Sequence, residues 1–416
     1  MSLNETPSGE RIHIGFFGAR NAGKSSLVNA VTGQELAVVS DVKGTTTDPV
    51  KKAMELTPLG PVLIIDTPGF DDEGKLGTER VKKTREILQT CDIAVLVADA
   101  DEGSAETAHE LIKLIKEREI PCLTVLNKSD LLKGLSEPDP AQKAESRVEA
   151  EIRISGFETV RVSALTGEGI NELKECLARL VPDKAPKKLA GDLVDQGDLC
   201  ILVCPIDESA PKGRLILPQQ QTIRDLMDRG AIPVVCRDTE LETLLKKTGI
   251  EPAVVITDSQ AFKSVSAVVA DDIPLTSFSI LMARYKGFLE TAVKGISAVK
   301  DLRDGDKVLL AEGCTHHRQC NDIGTVKIPR WLRDYTGKEL IIETSSGNGF
   351  PEDLSDYRLV IHCGGCMLTE NAVRLRMNRA IKQNVPFTNY GIAIAFMTGA
   401  LERSLRLFPD LHVLLP

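Results

Sequence analysis

No stretch of this 416-residue sequence approaches the roughly 18–20 consecutive apolar residues that a membrane-spanning helix needs. The opening segment, Met1 to Arg11, lacks the apolar core of a secretory signal, so the expected location is the cytoplasm. Aromatic residues are scarce, at 4% with Trp331 the single tryptophan, so stacking platforms for single-stranded nucleic acid are not evident. An excess of positive charge is missing as well. Lys and Arg number 51 against 60 Asp and Glu, a net charge of −9, and phosphate neutralisation requires a basic face. This balance speaks against a nucleic-acid partner. Internal repeats and low-complexity tracts are absent. What remains is ordinary globular material, 42% hydrophobic and 27% charged, long enough at roughly 100–200 residues per domain for two to four domains.

The hydrophobic pattern predicts an α/β protein in three parts. Over residues 1–182, apolar runs at Ile12–Phe17, Val62–Ile65, Ile93–Ala98 and Cys122–Leu126 read as buried parallel strands. Amphipathic stretches such as Ser25–Val31 and Ala105–Glu117 lie between them, which is a βα pattern with helices on both sheet faces. Pro182–Lys188, with two prolines and mostly charged residues, reads as a linker. A smaller βα module over 189–278 has strands predicted at Leu199–Pro205, Ile232–Cys236, Ala253–Thr257 and Leu275–Phe278. It has no phosphate-binding loop and reads as an oligomerisation module. The third part, 279–416, opens on a predicted long helix, Leu281–Leu302. Strands at Lys307–Ala311, Glu339–Ile342 and Tyr357–Ile361 follow, and helices Asn371–Gln383 and Ile392–Leu407 end the pattern.

Gly18-Ala19-Arg20-Asn21-Ala22-Gly23-Lys24-Ser25, followed by Ser26, stands between a predicted strand and a predicted helix. In that context G-x-x-x-x-G-K-S is a P-loop: its backbone N–H groups cradle phosphates, Lys24 reaches the β- and γ-phosphates, and Ser25 holds Mg²⁺. Asp66-Thr67-Pro68-Gly69 ends a later strand. There Asp66 can act on Mg²⁺ through water, and the Gly69 N–H can face the γ-phosphate. Asn127-Lys128-Ser129-Asp130 also ends a strand, and the Asp130 carboxylate can accept both N–H groups of a guanine edge, which adenine lacks. Ser163-Ala164-Leu165 fits the loop that contacts the guanine oxygen. Together these select GTP over ATP.

Three cysteines stand apart from the other seven. Cys314-Thr315-His316 follows one predicted strand and His362-Cys363-Gly364-Gly365-Cys366 follows another. If the two strands are parallel, both clusters lie at the carboxyl ends of one sheet, where open α/β sheets bind ligands. Soft thiolates suit zinc or an iron–sulfur cluster equally. A structural zinc would take His316 or His362 as its fourth ligand. An iron–sulfur cluster would leave one iron without a cysteine. Cys91, Cys122, Cys176, Cys200, Cys204 and Cys236 sit in or beside apolar segments and read as core residues.

The order and spacing of the nucleotide motifs resemble those of the translation-factor-like GTPases, and within that class the details resemble the TrmE-Era-type proteins. Within that resemblance Gly44-Thr45-Thr46-Thr47-Asp48 looks like switch I, and Thr46, among three adjacent threonines, best matches the Mg²⁺-binding one. Lys24, Thr46, Asp66 and Gly69 are then the candidate catalytic residues. Asn21 matches the asparagine that helps hold K⁺ in potassium-activated relatives. Phe70 stands where Ras-like proteins carry a water-orienting glutamine, so intrinsic hydrolysis should be slow.

With the C-x-H…H-C-x-x-C pattern added, the whole chain resembles the HydF family of [FeFe]-hydrogenase maturation GTPases. The resemblance implies a [4Fe–4S] cluster on Cys314, Cys363 and Cys366, with the roles of His316 and His362 open. It implies a homodimer formed through the middle domain. It also implies a scaffold or carrier role, in which a diiron precursor of the H-cluster is delivered to apo-[FeFe]-hydrogenase in concert with the radical-SAM maturases HydE and HydG. The rival reading is a tRNA-modification or ribosome-assembly GTPase with structural zinc. Arg374, Arg376 and Arg379 make one predicted helix basic, but at about 100° per residue Arg374 and Arg376 point to opposite sides and form no stripe.

Asp130→Asn replaces a two-oxygen acceptor with a group that is half donor. Nucleotide competition should show preference moving from guanine to xanthine nucleotides, and unchanged selectivity would refute the Asp130 assignment.

Overall fold

The computed structural model describes residues 6–34, 49–70, 83–99, 105–132, 147–181, 187–206, 215–249, 251–313, 322–347 and 349–415. It divides into two compact units, Met1–Lys184 and Ala185–Pro416.

The first unit is built on a six-stranded sheet in the order β2-β3-β1-β4-β5-β6. Its strands are β1 (Ile12–Phe17), β2 (Val50–Leu56), β3 (Gly60–Asp66), β4 (Ile93–Asp99), β5 (Cys122–Asn127) and β6 (Glu158–Arg161). β1, β3, β4, β5 and β6 run parallel, and all but the short edge strand β6 carry near-continuous apolar sequence because helices cover both faces. On one face Ile14, Phe16 and Val95 pack with Leu27, Val28, Leu173 and Leu177. On the other, Phe17, Ala94 and Leu96 pack with Leu111 and Ile115. β2 is the exception: it pairs antiparallel to β3 and its residues are mostly exposed. Its sequence, Val50 to Leu56, carries two lysines and a glutamate, so no buried run announced it.

The second unit holds two four-stranded sheets, both fully parallel. One has the order β10-β9-β7-β8, with β7 (Leu199–Val203), β8 (Ile232–Cys236), β9 (Val254–Thr257) and β10 (Leu275–Ser277). The other has the order β12-β11-β13-β14, with β11 (Lys307–Ala311), β12 (Ile341–Ser345), β13 (Tyr357–His362) and β14 (Phe387–Asn389). In chain order both read second-first-third-fourth, so one topology occurs twice without sequence repetition. Each closes on a short strand whose last residue caps the next helix. Ser277 Oγ accepts from Ile280 N at 3.2 Å, and Asn389 Oδ1 accepts from Ile392 N at 2.8 Å. The two helices so capped approach closely: a Cβ on Gly391 would lie 2.9 Å from Ser279 Cβ. One continuous apolar core serves both sheets.

The predicted helix Leu281–Leu302 is in fact three pieces: Phe278–Tyr285, Leu289–Gly295 and a 3₁₀ segment Ile296–Asp301. Gly287 adopts φ +75°, a left-handed conformation that ends the first helix and that apolar periodicity does not reveal. Likewise the predicted helix Ile392–Leu407 breaks at Gly399, φ +77°, into Tyr390–Met397 and Leu401–Leu405.

Gly295 lies where helix Leu289–Gly295 meets β14, and a Cβ there would fall 2.2 Å from Phe387 O. Gly295→Ala should therefore cost about 1–3 kcal/mol through backbone displacement, seen as a lower denaturant midpoint for the second unit. A variant unfolding at the wild-type midpoint would show that helix and strand can separate freely.

Candidate functional site

In the first unit, β1 delivers the chain into the loop 18–23 and the helix Lys24–Thr32. Sterics explain the loop glycines. A Cβ on Gly18 would lie 2.1 Å from Val97 O, and one on Gly23 would lie 2.2 Å from Asn127 Nδ2. Asn21 takes a left-handed φ of 63° and exposes its side chain at the loop's crest. Lys24 is buried, its Nζ donating to Gly18 O at 3.1 Å and Ala19 O at 2.8 Å. Ser25 Oγ donates to Asp66 Oδ2 at 2.6 Å. Burial pushes the Asp66 carboxyl above its ordinary range, with Ser25 and Lys24 opposing. Its other oxygen, Oδ1, is buried with no hydrogen-bond partner. A buried carboxylate oxygen without a partner, beside a serine hydroxyl at a helix start, fits a divalent cation.

Asp66 is followed by a backbone that folds over the loop. Phe70 N donates to Gly18 O at 3.1 Å, and a Cβ on Gly69 would lie 2.9 Å from Arg20 Cα. Gly69 and Phe70 are therefore held against the phosphate loop, with the Phe70 ring buried.

The base-recognition segments also converge. Asn127 Nδ2 donates to Ala22 O at 3.1 Å, and Asn127 Oδ1 accepts from Ala164 N at 3.1 Å. Asn127 thus staples the phosphate loop to the 163–165 loop. Lys128, at φ 63°, pairs with Asp99 at 2.5 Å. Ser163 Oγ donates to Asp130 Oδ1 at 2.6 Å and accepts from Thr166 N at 3.1 Å, which orients the Asp130 carboxylate. Ser26, next to Ser25 on the same helix, is half-buried. Thr45, Thr46 and Thr47 lie outside the described residues.

In the second unit, β11 and β13 pair in parallel with Ala311 opposite His362. The segments beyond both strands therefore leave the same end of the sheet. Cys363 N donates to Ala311 O at 2.8 Å. Cys363 Sγ accepts from Gly313 N at 3.1 Å and Gly365 N at 3.4 Å. Gly365 takes φ +69°, which turns the C-x-x-C loop back. Burial raises both thiols, Cys366 to about 12; the two amides and Arg376 oppose this at Cys363, and Lys286 opposes it at Cys366. Lys286 is itself fully buried, just past the helix Phe278–Tyr285, whose Met282 sits under Gly364.

His362 is completely buried, stacked on Phe387 and edge-on to Phe288. Its Nδ1 lies 2.6 Å from Cys363 O and its Nε2 lies 3.1 Å from Arg376 Nη1. A carbonyl can only accept and a guanidinium can only donate, so Nδ1 carries the proton and the Nε2 lone pair is engaged. Burial, aided by the Arg376 charge, lowers its pKa to about 3. Both ring nitrogens thus have partners other than iron or zinc. Cys314 and His316 lie outside the described residues. Among the described residues no group of three or more His, Cys, Asp or Glu side chains is arranged to hold a metal. The six cysteines read as core residues are buried or half-buried free thiols.

Arg376 is the residue that charge patterning alone undervalues. It shares the buried face of helix Glu370–Lys382 with Ala372, Val373 and Ala380. An arginine in register with that apolar stripe was the available signal.

Comparison with known families supplies the wider frame. Residues 13–128 match the model of the 50S ribosome-binding GTPase family. Residues 189–287 match the Hydrogen maturase F dimerization domain, and residues 290–407 match its tetramerization domain. The chain is similar to GTPase Era of Carboxydothermus hydrogenoformans, 30% identical over 190 residues, 45% of this chain and 61% of that protein. It is also similar to GTPase Der of Wolinella succinogenes, 36% identical over 186 residues, 43% of this chain and 37% of that protein. A solved structure of Era from Aquifex aeolicus is 20% identical and covers 54% of this chain and 91% of that one, with a TM-score of 0.34. The chain therefore spans less than two thirds of the length of these curated relatives.

The rival reading, a tRNA-modification or ribosome-assembly GTPase with structural zinc, is not favoured. The maturase models account for residues 189–287 and 290–407, beyond the GTPase domain. The three arginines also face different partners: Arg374 meets Asn371, Arg376 is buried, and Arg379 meets Pro351 O. The two maturase models together span more than half of the 416 residues, behind a GTPase domain, and the chain belongs to the hydrogen maturase F (HydF) family of GTPases.

Proposed function

We propose that the chain is a GTP-hydrolysing scaffold that carries a [4Fe–4S] cluster on Cys314, Cys363 and Cys366 and delivers the diiron precursor of the H-cluster to apo-[FeFe]-hydrogenase. In this reading HydE and HydG act before it on the precursor. Self-association runs through the modules matched at 189–287 and 290–407, whose models are named for dimerization and tetramerization.

The observation that carries the proposal is the meeting of the two cysteine-bearing segments. Gly313, the residue before Cys314, donates its N–H to Cys363 Sγ. The two backbone amides that donate to Cys363 sulfur favour its thiolate against the burial that raises the thiol, and that suits a ligand to iron. Three cysteines would leave one iron with a coordination position open to a guest, which is the chemistry a carrier needs.

At the nucleotide site each residue has a task. Loop amides and Lys24 would hold the phosphates, Ser25 and Asp66 would hold Mg²⁺ together with Thr46, and Asp130 would read guanine. Phe70 offers no hydrogen bond to a water, so turnover without a stimulating cation should be slow, about 10⁻⁴ to 10⁻² s⁻¹. Asn21, exposed at the crest of the loop, would help hold K⁺ beside the phosphates.

Anaerobic reconstitution of the full chain should give about four iron and four sulfide per chain, and Cys363→Ser should hold little of either. Stoichiometric zinc with no iron would defeat the carrier reading. For the nucleotide site, K⁺ should raise GTP turnover roughly tenfold or more over Na⁺, as a cation replacing part of an arginine finger's charge. Asn21→Ala should erase that difference; equal rates in both salts for the wild type would remove K⁺ from the scheme.

A further inference from the structure

We infer that Arg376 is the positioning residue of the cysteine site, tying the segment that leads to Cys314 to the segment that bears Cys363 and Cys366, with His362 as the hydrogen-bonding bridge between them and not as an iron ligand. This rests on the proposal that the cysteines hold a cluster.

The geometry is that of one planar fork reaching three loops. Arg376 Nη1 donates to Glu312 O at 3.3 Å, on the segment that follows β11. The same nitrogen donates to His362 Nε2 at 3.1 Å, at the end of β13. Nη2 donates to Gly347 O, on the segment that follows β12. Three neighbouring strands of one parallel sheet are thus joined at their carboxyl ends by a single side chain. His362 passes the restraint on, because its Nδ1–H donates to the Cys363 carbonyl at 2.6 Å. The guanidinium also lies over the Phe350 ring, 5.2 Å from its centroid, and the adjacent Arg379 holds Pro351 O at 2.8 Å.

These restraints act on the residues that flank the ligands. Glu312 precedes Gly313, whose amide meets Cys363 Sγ at 3.1 Å. His362 precedes Cys363. Removing Arg376 would release Glu312 and Gly347 and leave the His362 ring without its donor. Lysine cannot replace it: an ammonium is a point donor, and the planar fork that spans three acceptors is lost. If His362 bound iron instead, its Nε2 lone pair would have to leave Arg376, and a buried guanidinium N–H would lose its partner.

The test uses the full chain, reconstituted anaerobically with iron and sulfide. Visible absorption of the cluster follows its loss to an iron chelator, and far-ultraviolet circular dichroism follows the fold. The wild type should bind about four iron; no binding sinks the parent proposal and this one with it, whereas normal binding with unchanged release from the variants sinks this one alone. Arg376→Lys should release iron about tenfold faster or more, the range expected when a residue behind the metal ligands is lost. His362→Leu should do the same. The double variant should be no faster than either single one, because both changes break one bridge. Wild-type release from Arg376→Lys would overturn the clamp. Multiplying effects in the double variant would show His362 acting by itself, as a ligand would. If Arg376→Lys loses the wild-type dichroism, His362→Leu decides: release at the wild-type rate overturns the bridge.

Discussion

The pairing of β11 with β13 sets Ala311 beside His362, and the whole geometry of the cysteine site depends on that register. Parallel strands send their carboxyl-terminal segments out of the sheet together, so two stretches about fifty residues apart in sequence leave side by side. The Gly313 amide then meets Cys363 sulfur, and the Cys363 amide meets Ala311 oxygen. A slip of one residue would turn His362 to the other face of the sheet and remove it from Arg376. The apolar residues Leu309, Leu310, Val360 and Ile361 protect the register, since every one of them is buried.

The second unit uses one architecture twice. Both of its sheets place the first strand between the second and third, so in both the strand order reverses between the two central strands, whose carboxyl ends are where open α/β sheets bind ligands. Both carry thiols near that end, Cys204 directly after β7 and Cys236 as the last residue of β8 in one sheet, but the C-x-x-C turn belongs to the other alone. In the sheet without that turn, Thr257 is followed by Asp258, Ser259 and Gln260 where β13 is followed by Cys363, Gly364 and Gly365. Asp258 holds Gln219, and Gln260 accepts from Lys327 at 2.8 Å. One copy is thus held by polar pairs within the unit, and the other turns on two glycines between two cysteines. Fold and chemistry have separated, as they do wherever sites are grafted on a common scaffold.

The nucleotide site is organised on a different principle. Its parts are short contiguous segments at the ends of successive parallel strands, and each is shaped by its own backbone. Asn127 links two of them through both polar atoms of its amide, and Asp66 presents an unpartnered oxygen where a cation would sit. The site's rigidity comes from protein–protein hydrogen bonds that do not need a ligand to form.

Sequence alone determined what is local. The glycine-lysine-serine loop, the Asn127–Asp130 segment and the C-x-x-C turn each fit within a few covalently linked residues, so their chemistry could be read without a fold. Apolar runs such as Ile93–Ala98 and Lys307–Ala311 revealed their strands because burial on both faces demands them. Tertiary structure alone decided what needs two distant segments to meet. The polar strand Val50–Leu56 carries no buried run and exists only through β3. The helix break at Gly287 comes from its left-handed backbone, to which hydrophobic periodicity is blind. Arg376 reads in sequence as one more surface charge. It becomes the centre of a site because the carbonyls of Glu312 and Gly347 and the ring of His362 are brought to it by strands that chain order does not place together.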